Sequence, residues 1–234
     1  MDDSITTGNP RTAVLSQLLG SRYSCRAYRP DPVPREIIER VFSLAQRTPS
    51  WCNTQPWQVV VVSGDALESL TTRLYDLGAA GEPIRPDFPF PEAYEDAYRD
   101  RRKVCGVQLY QSLGIGRDDR EQARLQALEN HRGFGAPHAA FITTPERLGP
   151  YGAVDCGLYV MSLMLLLQAE GVACIAQAAL ASYPDVVRET LGFAPDRRMV
   201  CGLSFGYAQS DAPINGYRTE RASLADAVRF VDHG

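Results

Sequence analysis

The feature that most constrains the fold is a run of four consecutive valines inside Gln58–Ser63. An unbroken β-branched run is typical of a strand buried on both faces, because a half-exposed strand alternates apolar and polar residues. Such a strand belongs to a sheet that is covered by helices on each side. The rest of the chain must therefore provide amphipathic helices and further strands.

Amphipathic helices lie on both sides of this run in the sequence. The spacing of apolar residues predicts helices at 14–20 and 34–44 before the strand. After it, Asp65 is predicted to be the N-cap of a helix that stops at Gly78. The strand is thus expected to be preceded and followed by helices.

The remaining predicted elements continue this alternation. In chain order they are a loop at 79–91, helices at 92–113 and 118–130, a strand at 139–143, a helix at 155–169, a strand at 199–205, an irregular tail at 212–221 and a helix at 224–231. No change of composition marks a linker, so we expect one α+β or mixed α/β domain over 1–234. Within it, 79–130 is expected to be a loop and helical insertion, and 208–234 a C-terminal extension.

Composition excludes several classes of partner. The 234 residues carry a net charge of −4, which predicts no nucleic-acid or membrane-surface partner. The most apolar stretch, 158–167, is about half of the roughly 20 residues that span a bilayer, so we expect a buried helix.

Residues 1–10 lack an apolar run, so no signal peptide is expected. Six scattered cysteines without a C-x-x-C pair predict a cytoplasmic protein with no metal site.

A short basic motif follows the first predicted helix. Arg22 and Arg26 lie four residues apart, with Ser24 between them. Guanidinium groups bind phosphate through paired hydrogen bonds, and a serine adds a hydroxyl donor. Taken alone, these residues are better explained as a solvated basic turn. In a chain with net negative charge, any anion site must be local.

A carboxamide-rich segment, Pro49 to Trp57, lies between the second helix and the valine strand. Asn53 and Gln55 can both donate and accept hydrogen bonds, which suits the alternating donors and acceptors on the pyrimidine edge of a flavin. The alternative is a polar turn ahead of a strand, with Trp51 and Trp57 in the core.

Together the two motifs resemble the nitroreductase family. The family's two elements match Arg22–Tyr28 and Pro49–Trp57, in the same order and at the same separation. A third counterpart is Asn215–Arg221, where the family places basic residues on a flavin phosphate. The resemblance covers roughly 15–231.

This resemblance implies a fold, a cofactor and a partner. The expected fold is a three-layer α/β/α arrangement with a mixed, mainly antiparallel central sheet, in an intertwined homodimer. FMN would lie at the subunit interface, with NAD(P)H as a transient reductant and a small planar aromatic, such as a nitroaromatic or a quinone, as electron acceptor. The flavin N5 would carry the hydride in a ping-pong cycle, so no catalytic side chain is expected.

The resemblance also implies which residues contact the flavin. One subunit would contribute Arg22, Tyr23, Ser24, Arg26, Arg218 and Arg221 to the phosphate, ribityl chain and pyrimidine edge. The segment that the family takes from the partner subunit matches Pro49, Ser50 and Asn53, with Gln55 beside them. Gln177 and Ala178 fall near the flavin N5, where many relatives have glycine or acidic residues instead.

Three alternatives stay open at this stage. The chain could be a specialised family member, such as an azoline oxidase, a dehalogenase or a flavin-cleaving enzyme, with the aromatic and basic side chains of 79–130 over the substrate. It could also bind FMN without turnover. A serine hydrolase is weaker, because the G-x-S-x-G match at 202–206 is better explained as a strand that ends on small residues, with only His233 downstream.

Overall fold

The computed structural model describes residues 9–232. The amino-terminal residues 1–8, where no signal peptide is expected, and His233 lie outside that range. The helices are α1 (Pro10–Ser21), α2 (Arg35–Ala45), α3 (Gly64–Ala79), α4 (Asp96–Ser112), α5 (Arg120–Leu128), α6 (Gly149–Ala169), α7 (Pro184–Leu191) and α8 (Leu224–Ala227). The strands are β1 (Gln58–Ser63), β2 (His138–Pro145), β3 (Ala173–Gln177) and β4 (Arg197–Gly206).

The four strands form one antiparallel sheet in the order β1-β2-β4-β3. Every residue of β2 is buried, which places this strand at the centre of the core. A single parallel bridge joins Ser24 to Cys174 at the β3 edge. The prediction of a mainly antiparallel sheet is therefore confirmed, with the basic motif running along one of its edges.

Helices cover both faces of the sheet. Neighbouring residues of β2 point to opposite sides, as the pleat of a strand requires. Ile142 packs with Leu163 of α6 on one face, and Phe141 packs with Leu74 of α3 on the other. This confirms the predicted three layers.

Helix α6 is longer than predicted, because it begins at Gly149 and not at 155. With a mean hydropathy of 1.5 over its most apolar 18-residue window, it is long enough to cross a bilayer by length and composition. One side of it, which includes Tyr159 and Leu163, is buried against the sheet, while Val154 and Leu158 are exposed. It is thus a core helix with a second, uncovered apolar side.

The loop between α3 and α4 is fixed to the body of the protein through Asp87. This carboxylate accepts hydrogen bonds from Arg188 Nη1 (2.6 Å) and from the amide of Met199 (2.7 Å). The side chains of Asp87 and Arg188 are only 5% and 13% exposed. The proline-rich loop at 79–91 is therefore tied to α7 and β4.

Two elements were missed in the sequence, and two predicted helix ends are wrong. Strand β3 and helix α7 were not predicted, since the short sequences Ala-Cys-Ile-Ala-Gln and Pro-Asp-Val-Val-Arg-Glu-Thr-Leu are too brief to show a period. Asp65 is not the N-cap of α3, because the helix already starts at Gly64 after Ser63. The last helix ends at Ala227 and not at 231; Ser223 and Asp226 form a capping box, but the helix has no buried residue.

Candidate functional site

The basic motif is held in an extended conformation along β3. The amide of Cys25 donates to the carbonyl of Cys174 (3.2 Å). Cys25 and Tyr28 are buried in a small cluster with Ile175, whereas Arg22 and Arg26 stay partly exposed. The backbone thus presents the two arginines on the open side of the sheet edge.

The C-terminal tail is fixed beside this motif by Asn215, which is 3% exposed. Its Oδ1 accepts from the amide of Arg26 (2.8 Å), and its Nδ2 donates to the carbonyls of Ala27 (2.8 Å) and Gln209 (2.9 Å). A buried carboxamide that makes three hydrogen bonds is a rigid connection. It brings Arg218 and Arg221 next to the basic motif, although Arg26 and Asn215 are 189 residues apart in the sequence.

Between the motif and the tail lies a cavity of about 370 Å³. It is lined by Leu19, Gly20, Arg22, Tyr23, Ser24, Arg26, Cys105, Tyr217, Arg218, Thr219 and Arg221. The structure therefore brings together six of the predicted site residues: Arg22, Tyr23, Ser24, Arg26, Arg218 and Arg221.

The arginines of this cavity are held by carbonyls and aromatic rings. Arg26 Nη1 donates to the hydroxyl of Tyr217 (2.8 Å) and to the carbonyl of Ser24 (3.2 Å). The guanidinium of Arg218 lies over the ring of Tyr23, 3.9 Å from its centroid, and donates to the carbonyl of Asn215 (2.7 Å). These contacts orient the guanidinium groups without neutralising them.

Within residues 9–232, none of the four cavity arginines forms an ion pair with a carboxylate. Each guanidinium has five N–H donors, so several donors remain free to bind a ligand. Converging cations without acidic partners repel one another and are stabilised by an anion. The cavity thus has the charge and the donors for a phosphate group.

The phenols beside these arginines stay protonated. Burial raises the pKa of Tyr23, and the neighbouring Cys25 raises it further, against a smaller lowering by Arg218. Burial also raises the pKa of Tyr217, although Arg26 acts in the opposite direction. Both hydroxyls can therefore serve as hydrogen-bond donors.

The second motif lies elsewhere on the chain. The amide of Trp51 donates to both oxygens of Asp155 on α6 (3.0 and 3.2 Å), and the amide of Gln55 donates to Ser50 Oγ (2.9 Å). Pro49, Asn53 and Gln55 are exposed, Ser50 is half-buried, and none of the four lines the basic cavity. A single chain therefore does not unite the two motifs.

The backbone of this second motif is strained. Cys52, Asn53 and Gln55 have φ angles of +48°, +57° and +46°, in the left-handed region that non-glycine residues rarely adopt. Each such residue costs about 1–2 kcal/mol, and such strain is concentrated at ligand-binding sites. The strained backbone therefore makes this segment a candidate binding segment.

The two tryptophans of this motif differ in burial. Trp57 is buried, stacks on Tyr159 with 4.8 Å between ring centroids, and donates to Gln46 Oε1. Trp51, by contrast, is 59% exposed and lies against the exposed Tyr151. The prediction that both tryptophans could be core residues is wrong for Trp51.

Gln177 ends β3 with its carboxamide already engaged. Its Nε2 donates to the carbonyl of Asn130 (2.9 Å), and its Oε1 accepts from Ser204 Oγ (2.6 Å). Ala178 is exposed, so this end of β3 offers backbone and a methyl group to a ligand. Gly133, at φ +59°, passes so close that an added Cβ would lie 2.6 Å from Ser204 Oγ.

These contacts also remove the hydrolase alternative. Ser204 is fully buried inside β4 and does not stand on a turn into a helix. His138 is held as a structural residue, because its Nε2 accepts from the amide of Val33 (2.8 Å) and its Nδ1 contacts Ser63 Oγ. Burial lowers the pKa of His138, which keeps it neutral.

Six residues of the site were not predicted from the sequence: Leu19, Gly20, Cys105, Asn215, Tyr217 and Thr219. Asn215, Tyr217 and Thr219 belong to the tail motif that also contains the two predicted arginines, so that motif was the available signal. Cys105 comes from α4 and lines the cavity from the insertion. No pattern in the sequence marked that residue.

Comparisons with known proteins agree with this geometry. The sequence profile of the nitroreductase family matches residues 19–207. The chain is 41% identical to "Nitroreductase NfnB" of Mycolicibacterium smegmatis, over 92% of this chain and 91% of that protein. It is 31% identical to a "4-nitrobenzoate reductase" of a Nocardioides species, over 95% and 92%.

A solved structure is similar over nearly the whole fold. It is the FMN-dependent nitroreductase NfnB from Mycobacterium smegmatis in complex with NADPH, with a TM-score of 0.89 and 40% identity, over 93% of this chain and 98% of that one. Sequence profile, sequence identity and fold agree with the two motifs from which the resemblance was inferred. The chain belongs to the nitroreductase family.

Proposed function

We propose that this protein is an FMN-dependent oxidoreductase that uses NAD(P)H to reduce nitroaromatic, quinone or similar planar acceptors. The observation that carries this proposal is the cavity lined by four arginines that form no ion pair with a carboxylate within residues 9–232. Two relatives support it by name, one as a nitroreductase and one as a 4-nitrobenzoate reductase. It is also supported by the similar structure, which is that of an FMN-dependent nitroreductase in complex with NADPH.

The residues of the cavity fit the phosphate end of FMN. Arg22, Arg26, Arg218 and Arg221 hold the phosphate in this proposal, and Tyr23 and Ser24 hold the ribityl chain and the pyrimidine edge. When bound, FMN supplies the acceptance of a hydride from NAD(P)H and its delivery to the second substrate. The chain's task is to hold the ring and to place both substrates on it in turn.

The end of β3 is proposed to face the reactive part of the ring. Because the carboxamide of Gln177 is engaged by Asn130 and Ser204, the contact from this residue is its backbone. Ala178 lies next to it and leaves room for the ring. Here the role of β3 is to limit the position of the flavin and not to transfer a proton.

The flavin site is completed by a second copy of the chain in this proposal. Leu19 lines the cavity and is also 46% exposed, so the cavity is continuous with an apolar surface. Further exposed apolar side chains lie on α1 and α6, two helices that are in contact: Val14 (59% exposed), Val154 (57%) and Leu158 (46%). Exposed apolar side chains on neighbouring helices are typical of a subunit interface.

A partner on this surface brings its own second motif to the open side of the cavity. Pro49, Ser50, Asn53 and Gln55 then contact the ring from the partner side, which explains why one chain does not unite the two motifs. The protein is proposed to be a cytoplasmic homodimer of single-domain subunits, 1–234, with an insertion at 79–130 and an extension at 208–234. We propose no metal, nucleic acid or membrane as a partner.

The test is a purification followed by reduction. The protein is expected to be a yellow homodimer with one FMN per chain, and its visible absorption should bleach with NADPH and recover when a nitroaromatic is added. A colourless protein that takes up no added FMN contradicts the proposal. Tight FMN binding without bleaching by NADPH or NADH would instead identify a flavin-binding protein without turnover.

A further inference from the structure

Two exposed aromatic side chains form a pair beside the second motif. Trp51 and Tyr151 are each 59% exposed, with ring centroids 4.7 Å apart and an angle of 50° between the rings. Tryptophan is highly buried in most proteins, so an exposed indole in contact with an exposed phenol points to a binding surface.

The backbone that carries this indole is held by hydrogen bonds. The amide of Trp51 donates to Asp155, which is itself only 5% exposed and also accepts from Thr54 Oγ1 (3.5 Å). The following residue, Cys52, has the strained φ of +48°. Because the backbone is already fixed, binding at the indole costs little conformational entropy.

A cavity of about 280 Å³ adjoins the pair, and Arg147 is the basic residue among its described lining residues. Its lining includes Trp51, Tyr151, Asp155 and Arg147. The Asp155 carboxylate faces amide and hydroxyl donors, whereas the Arg147 side chain is 78% exposed and lies 3.6 Å from Asp196, too far for a strong hydrogen bond. Arg147 can therefore bind an anionic group at this cavity.

We propose that Trp51 and Tyr151 stack on the ring of the planar acceptor and that Arg147 favours acceptors with a carboxylate on the ring. An electron-rich indole suits an electron-poor nitroaromatic ring, and a guanidinium suits a carboxylate. This rests on the proposed function, in which the second motif faces the flavin of the partner subunit. It differs from a role of Trp51 as a dimer anchor alone.

The test compares 4-nitrobenzoate with nitrobenzene on the FMN-loaded dimer, with NADPH as reductant. Trp51→Ala should lower kcat/KM about tenfold for both acceptors, and Trp51→Phe should retain most of the activity. Arg147→Ala should lower kcat/KM about tenfold for 4-nitrobenzoate only. Arg73→Ala, which removes another exposed arginine with a single ion pair, is the matched control and should change neither value.

Two further measurements separate acceptor binding by Trp51 from a role in dimer formation or in flavin reduction. Trp51→Ala should keep the dimer mass and the rate of FMN reduction by NADPH. 4-Nitrobenzoate should quench indole fluorescence saturably, with a midpoint about tenfold higher in Arg147→Ala. This second readout does not depend on turnover.

The proposal is overturned if kcat/KM in Trp51→Ala stays within twofold of wild type for both acceptors. It is also overturned if that variant becomes monomeric, which would make Trp51 an interface anchor, or if 4-nitrobenzoate causes no saturable quenching. A wild-type protein that shows the quenching but reduces no acceptor would contradict the proposed function and leave the binding site supported.

Discussion

Two arginine clusters of this chain differ in what holds them. Arg188, with a side chain that is 13% exposed, pairs with Asp87 and Asp185. In the basic cavity, Arg26 and Arg218 instead contact carbonyl oxygens and aromatic rings. Carboxylates neutralise Arg188, whereas no carboxylate in the described part of the chain pairs with Arg26 or Arg218.

This difference separates structural arginines from ligand-binding ones. Removing Asp87 leaves the largely buried Arg188 with only the exposed Asp185 as a carboxylate partner, so folding should suffer. Removing an arginine from the second lowers the repulsion between cations, so folding should change little while anion binding is lost. Both clusters consist of the same residue type, and only the partners differ.

The largest effect is expected in the basic cavity. The double variant Arg26→Ala/Arg218→Ala should weaken FMN binding by about 4 kcal/mol, roughly a thousandfold, because two charge-assisted contacts to the phosphate are lost. The free energy of unfolding of the FMN-free protein should change by less than about 1 kcal/mol. FMN titration and urea denaturation measure the two quantities. Normal FMN affinity together with a large loss of stability would show that the cavity arginines are structural and do not bind the ligand.

The structural cluster should respond in the opposite sense. Asp87→Ala should lower the free energy of unfolding by about 3 kcal/mol, because it leaves Arg188 without its buried partner. The FMN affinity of the folded protein should stay unchanged. Asp185→Ala is the matched control, since that carboxylate is 85% exposed and pairs with the same arginine. If both variants lose equal stability in urea, burial does not distinguish the two pairs.

A smaller and mixed effect is expected at Asn215, which connects the tail to the basic motif. Asn215→Ala should lower the free energy of unfolding by about 2 kcal/mol, because buried backbone groups lose their partners. It should also weaken FMN binding about tenfold, since Arg218 and Arg221 lose their fixed position. An unchanged FMN affinity in the same titration would show that the tail arginines do not need this anchor.

The layers of the fold were predictable, because they follow from long periodic segments. The strand of the valine run, β1, and the apolar side of α3 are both found where the sequence indicated them. The prediction that β1 is fully buried is wrong, because β1 lies at an edge of the sheet and only Val62 in it is buried. The short elements β3 and α7 escaped, since five and eight residues leave no readable period. Tertiary packing decides whether such short segments become strands or helices. It also decides that α6 begins earlier than the sequence predicts.

The arginines of the site could be predicted from residue type and spacing. Residues whose role depends on contacts with distant parts of the chain could not. The arginines at 22, 26, 218 and 221 were visible from sequence, and they do converge. The exposure of Trp51 depends on its backbone contact with Asp155, 104 residues away, which no local pattern reveals. Cys105 reaches the cavity only through the placement of α4.

The most direct test of the ligand-binding cluster compares FMN with riboflavin, which lacks the phosphate. Dissociation constants for both should be measured on the wild-type protein and on Arg26→Ala. We expect the wild-type protein to bind FMN far more tightly than riboflavin, and Arg26→Ala to reduce that preference at least about tenfold, with little change for riboflavin. If Arg26→Ala keeps the wild-type preference for FMN, the cavity arginines do not bind the phosphate and the account is wrong.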